Sequence, residues 1–480
     1  MTVARRVALA LCALLLATPT EPLRAQANAA LRARPNIILI LTDDVGYGDI
    51  GSYGARDIRT PNIDRLARGG VRHTDFYASP QCTPTRAALI TGRYQQRVSL
   101  ERALSTTGAS LQTGLPANGS TLPRLLKNAG YRTGLVGKWH LGYLPEYSPN
   151  THGFDYFYGF LAGYIDFYTH TRGYDGLHDL NENGVAVSDT GYMTDLITSR
   201  AVRFIENSSR VNGTTAPFFL EVAYNAAHWP FQRPGHPTRA ANTGRFQGPE
   251  DSIPATRADY IAMLEHADTG IGTIMATLRK RGLDRNTLVI FTNDNGGEWL
   301  SNNAPLFHRK DTLWEGGIRV PAIFWWPSVL PAGRVANAPG ITMDLTATVL
   351  AVAGTAIPAN FEGRDLVPML SGRTTAGRTT AGRTTAGRTT AGRTNATALA
   401  DRPLFWRIDA RERQQRAVRR GRWKLLMDGD DLLLFDLPRD IGERHDVAAA
   451  HPAVVRELLA LLTAWEADVD GEAKRGAASR

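Results

Sequence analysis

The sequence predicts an α/β fold in which a mostly parallel central sheet is sandwiched by helices. A smaller C-terminal α+β subdomain, with an antiparallel sheet and one helix, is predicted to follow. Three observations lead to this prediction. Apolar runs of strand length alternate with helical patterns, polar side chains follow most of these strands, and a repetitive tract separates the C-terminal part from the rest. With 480 residues, 43% of them hydrophobic, the chain can bury a large core.

Residues 1–25 are typical of a cleavable export signal. Arg5 and Arg6 precede an apolar run over residues 7–17, and small residues lead on to Ala25. Basic, apolar and small segments in this order predict removal during export. The apolar run is too short to cross a bilayer, so we expect no stable membrane span and an exported protein, periplasmic or extracellular.

The large α/β domain is predicted over residues 30–370. Its strand candidates are short runs rich in Val, Ile, Leu and Phe, at 36–42, 133–137, 217–224, 286–292 and 320–326. Apolar residues at helical spacing predict helices over 192–206 and 258–281. Gly282 suits the end of the second helix, because glycine readily adopts the left-handed conformation that closes a helix.

A five-residue repeat, Gly-Arg-Thr-Thr-Ala, occupies residues 372–391 and defines an insert over 371–398. The repeat contains no large apolar side chain, so we expect it to be disordered and without function. Beyond it, residues 399–470 are predicted to form the small C-terminal subdomain. Strands are expected at 422–427 and 432–437, and a helix over 452–468.

The formal net charge of +9 overstates the charge of the folded part. The export signal contributes a net +2 and five arginines of the insert contribute +5, which leaves +2 for the remainder. A nearly neutral protein of this size offers no electrostatic argument for binding a polyanion. We therefore predict no nucleic-acid partner.

Polar side chains follow four of the predicted strands where each strand ends. They are Asp43 with Asp44, Lys138 with His140, His228, and Asp294 with Asn295. Each group alone has an ordinary explanation as a turn, a helix cap or a surface histidine. Because the carboxyl ends of parallel strands meet at one edge of a sheet, the four groups together predict a ligand site there.

The side chains at this edge suit a divalent cation and a tetrahedral anion. Carboxylate and amide oxygens are hard ligands that favour Ca²⁺ or Mg²⁺ over zinc. Lysine and histidine donors bind tetrahedral anions, and the candidates are Lys138, His140, His228 and Lys310. Such a combination is typical of sulfuryl or phosphoryl transfer.

Cys82 is the cysteine that remains once Cys12 is removed with the export signal. Exported proteins normally pair their cysteines, so this thiol is either a small buried apolar side chain or a precursor for modification. Pro84 suits the first turn of a helix, where its missing N–H leaves no bond unmade. Residue 82 would then lie at a helix N-terminus, which favours an anion.

Six segments resemble the signatures of the type I sulfatases, a family of the alkaline phosphatase superfamily. They are residues 41–49, 60–67, 82–93, 137–142, 291–296 and 310–319. The third begins Cys-Thr-Pro-Thr-Arg, the motif in which this family oxidises the cysteine to formylglycine. The resemblance implies that 30–370 is a sulfatase domain that hydrolyses sulfate esters, and that a formylglycine-generating enzyme acts on the chain during maturation.

The same resemblance implies the ligands of the cation and the nucleophile. One Ca²⁺ per chain would be held by Asp43, Asp44, Asp294, Asn295 and the modified Cys82. The aldehyde hydrate at residue 82 would attack sulfur and leave a sulfated enzyme, and the alcohol would depart.

The resemblance also implies roles for the basic residues around residue 82. Arg86 and Lys138 would stabilise the hydrate and its charge. His140 would take the proton whose loss expels sulfate and restores the aldehyde. His228 and Lys310 would bind the sulfate near its bridging oxygen, and either one would protonate the leaving alcohol.

Residues 152–170 are similar to the corresponding stretch of arylsulfatase B, the N-acetylgalactosamine 4-sulfatase, and of bacterial polysaccharide sulfatases. The similarity implies that Asp166 or His170 contacts the sugar of a sulfated carbohydrate, whereas an aromatic packing segment is the alternative. Two other functions stay open. One is a phosphodiesterase or phosphonate monoester hydrolase on the same fold, and the other is a non-catalytic glycan-binding relative in which Cys82 remains a thiol.

Overall fold

The protein is described by a computed structural model covering residues 34–117, 119–173, 175–208, 216–236, 255–372, 396–410 and 413–478. The predicted export signal and residues 373–395 of the predicted insert lie outside these ranges. The predictions of signal removal and of a disordered insert therefore stay predictions.

A central sheet forms the middle layer of the molecule. Its strands form because short runs rich in Ile, Leu, Val and Phe are buried on both faces, the pattern of a sheet covered by helices. Within the described ranges it has eleven strands: β1 (Asn36–Thr42), β2 (Val71–Tyr77), β3 (Arg132–Lys138), β4 (Tyr156–Phe160), β5 (Asn181–Glu182), β6 (Val185–Ala186), β7 (Phe218–Ala223), β8 (Thr287–Asn293), β9 (Arg319–Trp325), β10 (Arg334–Ala336) and β11 (Gly340–Ile341).

The order of strands through the sheet is β10-β2-β9-β8-β1-β7-β3-β4-β5-β6, with β11 beside β2. The five strands β8, β1, β7, β3 and β4 are parallel neighbours and form its centre. Ile37 of β1 lies opposite both Phe219 of β7 and Leu288 of β8, so these strands end at the same edge. Strand β9 runs antiparallel to β8 and β2, which makes the sheet mostly parallel, as predicted, and mixed away from its centre.

Helices cover both faces of this sheet. Those of the main part are α1 (Pro61–Gly69), α2 (Cys82–Thr91), α3 (Leu122–Asn128), α4 (Met193–Asn207), α5 (Arg257–Lys280), α6 (Glu315–Ile318), α7 (Thr342–Val352) and α8 (Val367–Leu370). Helices α1, α4 and α5 pack on one face, and α2, α3 and α7 pack on the other, each over its own apolar core. Helix α5 begins at a capping box in which Thr256 accepts a hydrogen bond from the backbone of Asp259.

The C-terminal part is an antiparallel four-stranded sheet with a long helix across it. Its elements are α9 (Ala396–Ala400), β12 (Leu404–Ala410), β13 (Arg413–Arg420), β14 (Trp423–Asp428), β15 (Asp431–Asp436) and α10 (Pro452–Ala478). This sheet and α10 share a third apolar core with Tyr77, Leu313 and Ile318 of the main part. None of the helices in the described ranges has the length and apolar character needed to cross a membrane.

Helix α10 is ten residues longer than the predicted helix over 452–468. The apolar stripe visible in the sequence ends near Trp465, but Val469 is fully buried in the third core. Farther along, Glu472 pairs with Arg93 and Arg97 of the main part at 2.8 and 2.7 Å. These tertiary contacts, which helical periodicity does not indicate, stabilise the last turns.

Candidate active site

The polar groups predicted at the strand ends lie together at the carboxyl edge of β8, β1, β7 and β3. Backbone hydrogen bonds join neighbouring strand ends: Asp43 N donates to Ala226 O at 3.1 Å, and Asp294 N donates to Thr42 O at 3.2 Å. Because the strands are parallel and in register, the residues that follow them meet at one edge. The structure therefore brings the predicted groups to one place.

Cys82 is the first residue of α2 and lies beside this edge. All ten residues of α2 are buried, and Cys82 itself is 2% exposed. Its Sγ is 3.6 Å from Asp43 Oδ1. Burial, together with the nearby charge of Asp294, raises the pKa of the Cys82 thiol. An unmodified nucleophilic cysteine needs the opposite shift, because the thiolate is the reactive form.

Three carboxylates of the site each pair with one basic side chain. The pairs are Lys138–Asp43 at 2.5 Å, Arg86–Asp294 at 2.9 Å and Lys310–Asp44 at 2.8 Å. We call these six residues the site cluster. Their formal charges cancel, so the cluster has no net charge before an ion or a substrate binds.

The two adjacent carboxyl groups after β1 are perturbed in opposite directions. Burial and the charge of Asp294 raise the pKa of Asp43 to about 7, although Lys138 opposes this. Burial also acts on Asp44, but Lys310 outweighs it, and the pKa of Asp44 falls to about 2. Asp44 is therefore held ionised by its lysine, whereas Asp43 needs additional positive charge to be fully ionised at neutral pH.

Two buried oxygens of the site have no hydrogen-bond partner among the described residues, namely Asp294 Oδ1 and Asn295 Oδ1. The amide nitrogen of Asn295 donates to Asp44 Oδ1 at 2.7 Å. Buried polar atoms are nearly always paired, so unpaired oxygens on two consecutive residues indicate a position for another binding partner.

A group of potential metal ligands lies at the same position. Asp43, Asp44, Cys82 and His228 each present one ligand atom, and these atoms all lie within 4.8 Å of one another. Asp294 is not a member of that group, although it is a predicted ligand and carries one of the unpaired oxygens. The set is dominated by carboxylate oxygens, which fits Ca²⁺ or Mg²⁺ better than zinc.

Two buried histidines complete the polar part of the site. Burial and Lys138 lower the pKa of His140 far below its usual range, and burial and Lys310 lower the pKa of His228 to about 3. His140 Nε2 lies 2.8 Å from Leu104 O, and a carbonyl only accepts, so Nε2 carries the proton. Nδ1 of His140 thus keeps its lone pair, and it has no partner within the described part of the chain.

A cleft of about 330 Å³ opens over Cys82. The predicted residues that line it are Cys82, His140, His228 and Lys310. Its other lining residues were not predicted, and they come from loops: Gln81, 103–106, Tyr143, 162–164, Gly173, Trp229, Glu298 and Asp311. The ring of Tyr164 stacks on that of His228, with centroids 5.6 Å apart, so one wall of the cleft is aromatic. Sequence position is the signal that could have identified Gln81, which directly precedes Cys82.

Asp166 is buried and is not among the residues that line the cleft, so its predicted contact with substrate stays a prediction. Its Oδ1 accepts from the backbone N–H groups of Tyr168 and Thr169 at 2.8 and 2.6 Å, and its Oδ2 accepts from Gln232 at 2.6 Å. Asp166 therefore orders the turn that it begins, an ordinary use of aspartate. His170 is also buried, and its Nε2 bonds to a backbone carbonyl.

Comparison with known sequences identifies the relatives of this chain. The sequence profile of the family described as Sulfatase matches residues 35–355. N-acetylgalactosamine-6-sulfatase of Canis lupus familiaris is 36% identical over 368 residues, which are 71% of this chain and 67% of the relative. Arylsulfatase J of Mus musculus is 37% identical over 323 residues, which are 65% of this chain and 51% of the relative.

Solved structures of similar fold include carbohydrate-binding proteins. The crystal structure of i-CgsB in complex with k-i-k-neocarrahexaose superposes with a TM-score of 0.77 and is 32% identical, covering 90% of this chain and 92% of the other. The PsFucS1 sulfatase from Pseudoalteromonas sp. superposes with a TM-score of 0.69 at 25% identity, covering 95% of each chain.

Proposed function

Because the chain belongs to the sulfatase family and hydrolyses sulfate esters of carbohydrates, we propose that its nucleophile is formylglycine made from Cys82 and that it uses one Ca²⁺. The position of Cys82 carries this proposal. It is the first residue of a fully buried helix, it contacts Asp43, and it lines the cleft together with Lys310 and His228. The raised pKa of its thiol argues against direct use of the cysteine.

The residues of the site fit a bound Ca²⁺. Its ligands would be Asp43, Asp44, Asp294, Asn295 and the modified residue 82, since the unpaired oxygens of Asp294 and Asn295 are of the type that calcium prefers. The ion would supply a Lewis acid for a sulfate oxygen and for the hydrate at residue 82. It would also change the formal charge of the site from zero to +2, which favours an anionic substrate.

The basic residues of the site cluster would act on the charge that develops at residue 82. Lys138 and Arg86 are buried and pair with Asp43 and Asp294, so they are fixed in place before substrate arrives. His140 would accept a proton at Nδ1, because its Nε2 already donates to a carbonyl. A neutral, unpaired imidazole nitrogen beside the cleft suits that step.

Lys310 and His228 would bind the sulfate and supply the proton of the leaving alcohol. Both line the cleft and both approach Asp44, at 2.8 Å for Lys310 Nζ and 3.5 Å for His228 Nε2. To separate their roles, each is replaced by alanine and assayed on aryl sulfates whose leaving phenols differ in pKa. The residue that donates the proton is the one whose loss matters least for the most acidic phenol, which departs without a proton.

The substrate would be a sulfated sugar that occupies the cleft with its sulfate toward residue 82. The cleft volume of about 330 Å³ lies at the small end of ligand sites, which suits one or two sugar rings. Trp229 and Tyr164 give it an aromatic wall, and aromatic rings pack well on the apolar faces of sugars.

We further propose export of the chain to the periplasm or the outside of the cell, with removal of residues 1–25 and oxidation of Cys82 by a formylglycine-generating enzyme.

The decisive experiment combines mass spectrometry of the Cys82 peptide with an activity assay. The exported protein should carry formylglycine at position 82, hydrolyse sulfated mono- and oligosaccharides, and favour an aryl sulfate over an aryl phosphodiester. Cys82→Ala should fold normally, as judged by circular dichroism, and show no turnover. A thiol at position 82 in fully active protein, or an active, metal-dependent Cys82→Ala variant, would refute the nucleophile assignment.

Removal of the ion provides a second test. A chelator should suppress turnover, and added Ca²⁺ should restore it. The chelated protein should also melt at a lower temperature, because a ligand present at about 100 times its Kd stabilises the fold by about 2.7 kcal/mol. Activity and melting temperature that do not respond to the chelator would contradict a calcium site.

A further inference from the structure

The segment that carries Lys310 adopts an unusual backbone conformation. His308 and Asp311, on either side of Lys310, have φ angles of 66° and 64°. Non-glycine residues seldom occupy this left-handed region, and they persist there only where surrounding contacts fix the conformation. Lys310 N donates to Gly297 O at 3.2 Å, and the direction of its side chain depends further on the contacts that hold Asp311.

Three contacts hold Asp311. Its backbone N–H donates to Pro80 O at 3.0 Å, and its backbone carbonyl accepts from Arg413 Nη1 at 2.6 Å. Its side-chain Oδ1 accepts from Gln81 Nε2 at 2.6 Å. Pro80 and Gln81 directly precede Cys82, so the segment of Lys310 is tied to the start of the helix that carries the nucleophile position.

Gln81 also contacts a second segment of the cleft wall, residues 103–106. Its Oε1 accepts from the backbone N–H of Ala103 at 2.9 Å, and residues 103–106 line that wall. The orientation of the amide follows from chemistry, because a carboxylate only accepts and a backbone N–H only donates. The side chain of Gln81 thus joins two segments that line the cleft, at Asp311 and at Ala103, and both of its polar atoms form hydrogen bonds.

We propose that Gln81 is a positioning residue that sets the place of Lys310 by bracing Asp311 against the 103–106 wall. The proposal rests on the proposed function in one respect, namely that Lys310 binds the sulfate. A neutral side chain with one donor and one acceptor is required at position 81, because one contact is to a carboxylate and the other to an N–H group. Glutamate has the same shape but would place a second carboxylate against Asp311.

A charge-conserving exchange tests this proposal. Gln81→Glu should lower kcat/KM at least tenfold, because two carboxylates then face each other. Asp311→Asn should lower kcat/KM less than Gln81→Glu does, since the glutamine can still donate to the new amide oxygen. The double variant Gln81→Glu/Asp311→Asn has the original net charge and restores a donor opposite an acceptor. Its kcat/KM should therefore return to within threefold of that of the original protein. Activity is expressed per formylglycine, measured by mass spectrometry.

Two comparisons decide the outcome. If Gln81→Glu alone retains full activity, or if the double variant stays as impaired as Gln81→Glu, the proposal is overturned. Should Gln81→Glu fail to fold, the double variant alone decides, since recovery supports the brace and an inactive folded double variant overturns it. The original protein run in parallel separates this result from a failure of the proposed function, which would leave that protein itself without sulfatase activity.

A Lys310→Ala background shows whether Gln81 acts through Lys310. With the lysine absent there is no side chain left to position. Gln81→Glu should therefore lower kcat/KM less than threefold in the Lys310→Ala background, compared with at least tenfold in the original background. A tenfold loss in both backgrounds would mean that Gln81 acts on substrate or on the nucleophile directly, and would overturn the assignment.

Discussion

This protein has two buried clusters of charged residues that contain the same number of acids and bases but differ in how their carboxylate oxygens are paired. The site cluster contains three acids and three bases at the carboxyl edge of the sheet. The second cluster lies where the main part meets the C-terminal sheet, and we call it the interface cluster. It also has three acids and three bases: Asp75, Glu315, Glu443, Arg319, Arg419 and Lys424.

Each oxygen of the interface-cluster acids has a hydrogen-bond or ion-pair partner, although Glu443 Oε1 has an ion pair alone and accepts no hydrogen bond. Glu315 Oε1 accepts from Lys424 at 3.0 Å, and its Oε2 accepts from Tyr77 at 2.7 Å. Glu443 Oε1 is 2.8 Å from Lys424, and its Oε2 accepts from the backbone N–H of Glu315. In the site cluster, by contrast, Asp294 has one oxygen without a partner in the described part of the chain. Charge count therefore does not distinguish a catalytic cluster from a structural one, whereas unpaired oxygens beside a cleft do.

The largest expected effect is on activity, from Asp43→Asn in the site cluster. The pKa of Asp43 is raised to about 7, so the amide should lower the melting temperature less than the loss of a fully ionised partner of Lys138 would. Loss of a proposed calcium ligand should nevertheless reduce kcat by about 10³-fold or more. Steady-state kinetics and thermal melts with and without Ca²⁺ measure the two quantities.

The matched variant in the interface cluster is Asp75→Asn, which should give the reverse pattern. It removes the acidic partner of Arg419 and one of the two acidic partners of Arg319, so stability should fall while kcat stays within about threefold of the original value. A large loss of kcat in folded Asp75→Asn protein would break the distinction between the clusters.

The next largest effect is on stability, from Lys424→Met. Lys424 is fully buried between Glu315 and Glu443, so its removal leaves two buried carboxylates short of a counter-ion. We expect a loss of about 3–5 kcal/mol in the free energy of unfolding, measured by urea denaturation. Lys127→Met, which breaks a largely exposed ion pair with Asp155, should cost less than about 1 kcal/mol. If both variants lost the same free energy of unfolding, burial would not be what makes the Lys424 ion pairs important for stability.

The smallest effect is a pH dependence carried by Glu443. Burial and the charge of Glu315 raise the pKa of Glu443 from 4.5 to about 7, against the influence of Lys424. The folded protein thus binds this proton more tightly than the unfolded chain. Its contribution to stability is complete below pH 4.5 and is lost as the pH rises through about 7.

Glu443→Gln should remove this pH dependence. Between pH 4.5 and 7.5 the free energy of unfolding of the original protein should decline relative to that of the variant by about 3 kcal/mol, in urea titrations at each pH. Glu457→Gln, at an exposed carboxylate paired with Arg420, serves as the control and should leave the pH profile unchanged. Parallel profiles for the original protein and Glu443→Gln would show that Glu443 does not titrate in this range.

The predictable parts of the fold are those in which local sequence alone determines the environment. Strands β1, β3, β7 and β8 were predicted to within two residues because both faces are buried and each run has at most one charged residue away from its ends. Strand β13 was not predicted, because Arg413–Arg420 has four arginines and two glutamines among its eight residues. Its polar side chains find partners elsewhere in the chain, such as Glu466 for Arg416 and Asp75 for Arg419.

The candidate site likewise has a part that the local sequence predicts and a part that it does not. The residues that follow parallel strands could be predicted, since topology alone brings strand ends together. The loops that close the cleft could not, because residues 103–106 and Glu298 have no periodic pattern and owe their positions to contacts with distant segments. Asp166, a polar residue in a stretch that resembles other sulfatases, bonds to its own turn, and sequence position alone does not reveal this contact.

The place of β1 in the sheet has a consequence for biosynthesis. Although it is the first strand in sequence, β1 lies at the centre and pairs with β8, which ends at Asn293. The sheet therefore cannot close until roughly 200 residues beyond Cys82 have been made, which takes about 10–40 s at common rates of translation. During that interval the thiol has no finished edge to be buried against, so the proposed oxidation of Cys82 would take place on the growing chain, before the fold buries the thiol.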